Sequence, residues 1–230
     1  MSSDAERRKK HLIRKAASEG RKRLGKNVQS RFQRFLEAYY ANVPPQDILD
    51  STATALFGLA HGHWKQGQTR KRGRPDIRAF NPDPKKDGWQ SSRTIIEIVT
   101  DDMPFLVDSV TAELNRCHLT VHLVIHPVLM VARDRSGKLL DVIDAGQSQK
   151  GAFNESFMHL QVTHQSGARL KEIVSNLKNV LGDVRAAVQD WSAMRDLMSS
   201  VINELEVAPK GAYAEEAAEI REFLRWIHNN

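Results

Sequence analysis

Two adjacent aspartates followed closely by a proline, Asp101, Asp102 and Pro104, are the residues whose types and spacing most readily suggest chemistry. A carboxylate pair can divide acid and base roles between its members. It can equally open a helix, because carboxylates accept from the free N–H groups of a first turn and proline fits there without losing a bond. Leu106, Val107, Val110, Leu114 and Cys117 follow at helical spacing and put one apolar stripe on one side. N-capping therefore accounts for both aspartates more cheaply than a reaction does. The position still has value for binding. A helix N-terminus suits an anionic group such as a carboxylate, whereas two aspartates favour an ammonium group. A small zwitterion matches that combination, and the candidate effector-binding residues are Asp101, Asp102, Met103, Pro104, Phe105 and His126.

Histidines are the other chemical candidates. His118, His122 and His126 look like a metal ladder, yet neighbours four apart in an extended strand stand roughly 13 Å from each other, too far to share an ion. His61 and His63, two apart on a helix, point to different faces and read as helix-end residues. With no further ligand at a known metal spacing, no metal is expected. Other common routes to catalysis are missing too. The glycines form neither a dinucleotide fingerprint nor a phosphate loop, and there is no nucleophile elbow, paired-cysteine motif or zincin helix. No catalytic, cofactor-binding or metal-ligating residue is assigned.

The elements that position these residues start with a β-branched run, Ile95 to Val99, which reads as a strand. From Leu119 the apolar period drops from helical to two, with Leu119, Val121, Leu123 and Ile125 opposite His122 and His126. Val128 to Arg133 and Lys138 to Ile143 form a hairpin around Asp134-Arg135-Ser136-Gly137, and Phe157 to His164 alternates again. A helix carrying Leu170, Ile173, Val174, Leu177 and Leu181 follows, and Gly182-Asp183 stops it. Val184 to Val188 then reads as a last strand or as more helix. Without the hairpin the order is β-α-β-β-α-β, an α+β sandwich of ferredoxin type. If both helices cover one face, the other carries Ile95, Glu97, Val99, His122, Val124, His126, His159 and Gln161. So mixed a face calls for cover by a flanking helix or another subunit, which makes Glu97, His122, His159 and Gln161 interface candidates.

Upstream, Val28 to Asn42 and Gln46 to Gln66 read as amphipathic helices separated by Pro44-Pro45. The expected organisation is a basic flexible arm (1–27), a helical flank (28–70), a linker with an edge strand at Asp76 to Phe80 (71–93), the sandwich (94–190) and C-terminal helices (191–230). The net charge of +6 has a local origin: residues 1–27 hold ten Lys or Arg against three acids, so the remainder is close to neutral. The arm has no aromatic interleaving for stacking bases, and nucleic acid is not the expected partner. A hydrophobic content of 40% and a charged content of 27% fit a folded globular chain. No apolar run reaches membrane-spanning length, and the lone Cys117 fits a reducing, cytoplasmic setting. Apolar residues continue to Ile227 without a terminating glycine or proline, which suggests a piece of a longer polypeptide, a dangling final helix being the plainer alternative.

This order, with an acid-rich turn, a proline and an apolar helix after the first strand, resembles the ACT domain, a small-molecule-sensing module of metabolic enzymes. Where that family reads D-x-P-G-L-L, this chain has Asp101-Asp102-Met103-Pro104-Phe105-Leu106-Val107, with Phe105 in place of the glycine. IVTDDMPFLVDSVTAEL, HPVLMVARDRSGKLLDV, SFMHLQVTH and the final EFLRWIHNN resemble the N-terminal region of the large-subunit NAD-specific glutamate dehydrogenases of bacteria. The likeness covers about residues 30–230 and is densest from 94 to 134. It implies ACT-like domains ahead of a distant catalytic region that binds NAD and oxidatively deaminates glutamate. It also implies a downstream catalytic partner in the same polypeptide, homo-oligomeric assembly and an amino-acid effector. No catalytic residue of that family maps onto this chain.

Overall fold

A computed structural model describes residues 2–144, 146–147, 149–207, 211 and 213–229. The N-terminal part holds helices α1 (Ser2–Arg23), α2 (Lys26–Ala41), α3 (Pro45–Ile48) and α4 (Ala53–Gln66), then strand β1 (Asp76–Phe80) and a short helix α5 (Pro84–Asp87). Strand β2 (Thr94–Asp101), helix α6 (Leu106–Arg116), β3 (Val121–Ile125), β4 (Val128–Arg133), β5 (Leu139–Val142), β6 (Phe153–Val162) and helix α7 (Gly167–Gln189) follow. Helices α8 (Trp191–Val207) and α9 (Ala214–Asn229) end the chain. Two compact units result, Met1–Leu181 and Gly182–Asn230.

The first unit is built on a six-stranded antiparallel sheet. Strand β6 is its axis, pairing with β2 from Thr94↔Val162 to Asp101↔Glu155. Its other edge is shared: β3 takes one half (Ile125↔His159) and β4 the other (Val128↔Ser156). His126-Pro127 bends the chain between them. Proline has no N–H for a ladder, but Pro127 still accepts from Phe157 N at 3.0 Å. The hairpin β4–β5 extends that side, and arginines of α2 cover its outer carbonyls, Arg31 Nη1 donating to Leu140 O (2.7 Å) and Arg34 Nε to Val142 O (2.8 Å). An edge with occupied carbonyls cannot recruit another strand there.

The β-α-β-β-α order is as expected, but the final strand comes from elsewhere. Residues Val184 to Val188 continue α7, because Ile173, Leu177, Leu181 and Val184 are buried at helical spacing. The edge beside β2 is already taken by β1, which pairs antiparallel from Asp76↔Val99 to Phe80↔Ile95. The sandwich is thus completed by a strand from upstream.

Side-chain alternation divides the sheet. Ile96, Ile98, Met158 and Leu160 point one way and are fully buried, as are Val110 and Leu114 of α6 and Leu177 of α7. Val99, Phe157, Ile125, Leu129 and Val131 point the other way and join one core with α1, α2 and α4. Aromatic rings fill it: Phe35 stands 5.3 Å from Phe157 and 5.1 Å from Trp64, centroid to centroid. The face that needed cover is closed by the chain's own helical flank.

Two expectations about the flank change. The helix foreseen over Gln46 to Gln66 is interrupted after Ile48, and α4 starts afresh at Thr52, whose Oγ1 accepts from Ala55 N at 3.1 Å. Residues 1–27 were read as a flexible arm, whereas α1 packs Ile13, Ala16 and Ala17 into the core. Lys9 is buried, and its Nζ donates to the carbonyl of Ala41 (2.8 Å), the last residue of α2, and to Val43 O (2.6 Å) beyond it. The charge run had concealed an apolar stripe with small residues, which allows close helix contact.

In the second unit α8 and α9 form a hairpin joined by Arg195 Nη2 to His228 O (3.2 Å) and by an Arg225–Glu206 ion pair.

Candidate functional site

Strand β2 ends at Asp101 and α6 begins at Leu106, so the turn between them presents the foreseen effector residues at one rim of the sheet. The aspartates do not cap α6. Its N-cap is Phe105, without a side-chain cap bond, and the acid in its first turn is Asp108. Asp101 still belongs to the strand, and its carboxylate is engaged elsewhere: Oδ1 accepts from Arg70 Nη2 (2.6 Å) and Oδ2 from Gly73 N (2.8 Å). Asp102 donates its own N–H to Asn154 O (3.2 Å). Partial burial raises its carboxyl above the usual aspartate range, against the opposing pull of His126. Phe105 has φ +66° and is 64% exposed, a left-handed conformation that an L side chain adopts only with strain. That backbone explains why the resembling family uses glycine at this point.

His126 stands beside this turn. Its Nε2 is 2.5 Å from Ser156 Oγ, and burial pushes its pKa down while the nearby Asp102 pushes it up. With Val124, Ile125, Pro127, Tyr39 of α2 and Asn42 just past its end, it lines a hollow of about 210 Å³. The structure therefore brings Asp102 and His126 near each other at the rim, leaves Pro104 and Phe105 exposed, and diverts Asp101 to a separate role.

That role is an ion cluster which sequence reasoning missed. Glu155 is fully buried on β6, and its Oε1 accepts from Arg70 Nε (3.0 Å) and Nη2 (2.5 Å). Arg133 of β4 forks onto the same carboxylate, Nε to Oε1 (2.7 Å) and Nη2 to Oε2 (2.6 Å). The remaining donors go to carbonyls: Arg70 Nη1 to Lys71 O and Arg74 O, Arg133 Nη1 to Gly137 O, and Arg133 Nη2 also to Gly67 O. Two arginines and two acids make a neutral buried group. It clamps the segment before β1 onto the sheet, so the expected linker is an integral part of the unit. Backbone bonds reinforce the clamp, Arg70 N donating to Gly137 O (2.9 Å) and Leu139 N to Gln68 O (2.8 Å). Gly137 has φ +89°, and a Cβ there would lie 2.4 Å from Arg70 O, so this turn requires glycine.

The interface candidates separate into two pairs. Glu97 and His159 are fully buried beneath α2 and α4, which removes both from any surface offered to another subunit. Glu97 Oε2 accepts from Arg78 Nε of β1 (2.6 Å), and Oε1 stands 3.2 Å from His159 Nδ1. Burial raises the Glu97 carboxyl, but His63, the His159 hydrogen bond and Arg78 outweigh it and hold the pKa at about 2. His63 of α4, read from sequence as a helix-end residue, belongs to this network: Tyr39 Oη donates to its Nδ1 (2.9 Å), and its Nε2 donates to Ile98 O (3.3 Å). Burial lowers its pKa to about 4, so the ring is neutral at pH 7. Its position in the helical repeat, level with the apolar Ala60 and Trp64, was the available signal. His122 is exposed and accepts from Arg93 Nη1 (2.7 Å), while Gln161 is partly buried 3.5 Å from His159 Nε2.

Glu97, His159 and Glu155 are fully buried, and both carboxylates are held by arginine or histidine partners, so both networks hold structure together. Among the described residues no group of three or more His, Cys, Asp or Glu is placed to hold a metal ion, and no helix is long and apolar enough to cross a membrane. Cys117 is buried and donates to Glu113 Oε1 (3.4 Å).

The candidate residues thus lie at the β2–α6 rim of a two-faced antiparallel sheet, and residues 35–177 match the family described as the ACT1 domain of glutamate dehydrogenase. This chain belongs to that family. The ACT1 chain is 37% identical over 207 residues to the NAD-specific glutamate dehydrogenase of Halomonas elongata and 31% identical over 208 residues to that of Pseudomonas aeruginosa. These matches cover 89% and 90% of the ACT1 chain and 13% of each relative. A Mycobacterium tuberculosis protein of the same name is 26% identical over 167 residues, 72% of the chain and 10% of the relative. The ACT1 chain thus spans about an eighth of the length of the first two curated relatives.

Proposed function

We propose that this ACT1 chain is the non-catalytic N-terminal region of an NAD-dependent glutamate dehydrogenase, serving allosteric control and assembly. The reaction of the whole enzyme, L-glutamate with NAD and water to 2-oxoglutarate, ammonium and NADH, belongs on this reading to a catalytic region elsewhere in the same cytoplasmic polypeptide. NAD binds that region and not this one. The observation that carries the proposal is the uncapped start of α6 beside Asp102 and His126, at a sheet rim that the helical flank leaves open. Free N–H groups of a first turn attract a carboxylate, and Asp102 attracts an ammonium group, so the rim suits a free amino acid.

Calorimetry of the chain against a panel of amino acids tests this reading. Heat with one of them, lost in Asp102→Ala, together with a changed rate of the full-length enzyme, is the expected outcome. No heat across the panel removes the sensing role. Self-association measured by light scattering without any ligand heat would leave a pure assembly module. A nucleic-acid role would instead appear as salt-sensitive binding that is lost on deletion of residues 1–27.

A further inference from the structure

Large apolar side chains left exposed are concentrated in the second unit. Of the twelve such residues among those described, nine lie between Trp191 and Ile227. Trp191, Met194 and Leu197 recur every three residues on α8, and Ile220, Phe223 and Trp226 do the same on α9. Phe223 and Trp226 stack at 6.4 Å between centroids. Each of the six is at least half exposed, and apolar side chains exposed in such concentration mark an interaction surface. The unit has almost no interior of its own. Among the described residues Ile202 is the only buried one in α8, and α9 has none. A helical pair without a core does not reach independent stability, so its apolar side needs an external contact.

We infer that this side of the α8–α9 hairpin docks against an apolar surface of the remainder of the same longer polypeptide. The inference rests on the reading of the chain as one region of a larger enzyme. Relatives that match about nine tenths of this chain devote 13% of their length to the match, so most of each such protein lies outside it. A covalently linked partner surface is present at millimolar effective concentration, which a separate second copy reaches only in concentrated solution. Tryptophan, phenylalanine and methionine are also the residue types that anchor the dry centre of a stable interface.

Hydrogen exchange of the α8 and α9 amides, compared between the 230-residue chain and the full-length protein, tests the inference. At least tenfold slower exchange in the full-length protein is expected, and Phe223→Asp or Leu197→Asp should reverse most of it. Both sites are more than half exposed, so neither variant should disturb folding, and circular dichroism checks that. Equal exchange in the two proteins overturns the inference. So does a 230-residue chain that dimerises at micromolar concentration and becomes monomeric in Phe223→Asp, because the occupant is then a second copy. Glutamate dehydrogenase activity is measured on the same full-length sample. Its absence removes the functional reading, whereas unchanged exchange in an active enzyme removes only the docking surface.

Discussion

Replacing Glu155 by glutamine tests how the sheet is held to the segment that precedes β1. The native carboxylate accepts four charge-assisted bonds, two from Arg70 and two from Arg133, in surroundings closed to water. Glutamine keeps one acceptor oxygen and turns an NH₂ group towards guanidinium donors, so about half of those bonds are lost. The buried group also passes from neutral to a net charge of +1, with Asp101 facing two arginines. Charge-assisted bonds contribute roughly 1.5–3 kcal/mol each, and breaking one partner from a buried ion group costs about 3–5 kcal/mol. The expected loss is therefore about 4 kcal/mol, a large share of the 5–15 kcal/mol that stabilises a typical domain. At a urea slope of about 2 kcal/mol per molar, the unfolding midpoint should fall by roughly 2 M. Limited trypsin digestion at pH 7 should show earlier cleavage after Lys71 and Arg72, whose backbone the cluster positions. A midpoint shift under about 0.5 M, with unchanged cleavage, would refute the view that this cluster holds the segment in place.

Three further outcomes follow from single residues. His63 has its pKa lowered to about 4 from an unfolded value of 6.5, so between those pH values the unfolded state binds the extra proton. Its contribution, about 3 kcal/mol, is complete above pH 6.5 and lost as pH falls through 4. Urea midpoints of His63→Gln should be flatter than wild type across that window, and the Glu97 network should fail lower, between pH 4.5 and 2. Phe105→Gly relieves left-handed strain at an exposed residue, and after the entropic cost of glycine it should stabilise by about 0.5–1 kcal/mol, read as a Tm rise of roughly 2 °C. Gly137→Ala puts a methyl group against Arg70 O and should destabilise by about 2–3 kcal/mol, visible as a lower Tm.

What local sequence determined was each element with a clean period. The run Ile95 to Val99 lies in a strand because its β-branched residues suit a pleat. The stripe from Leu106 to Leu114 made α6, and the DRSG turn made the β4–β5 hairpin. Prolines on either side left Asp76 to Phe80 no structure but the short strand that is found. The family was legible too, since motifs such as HPVLMVARDRSGKLLDV are long enough to specify it.

Tertiary structure decided everything that depends on partners distant in the chain. Local pattern could not show that β1 would occupy the edge reserved for a last strand, because pairing is settled by which strand reaches β2 and not by propensity. Residues 184–188 suited either strand or helix, and α7 simply continued once that edge was filled. Arg70 and Glu155 are 85 positions apart, and neither has a neighbour in sequence that announces the other. Asp101 carried the right residue type for a cap, but the strand kept it, and the arginine clamp took its carboxylate. Ion pairs and buried histidines are selected by desolvation and geometry that exist only after the helices close over the sheet.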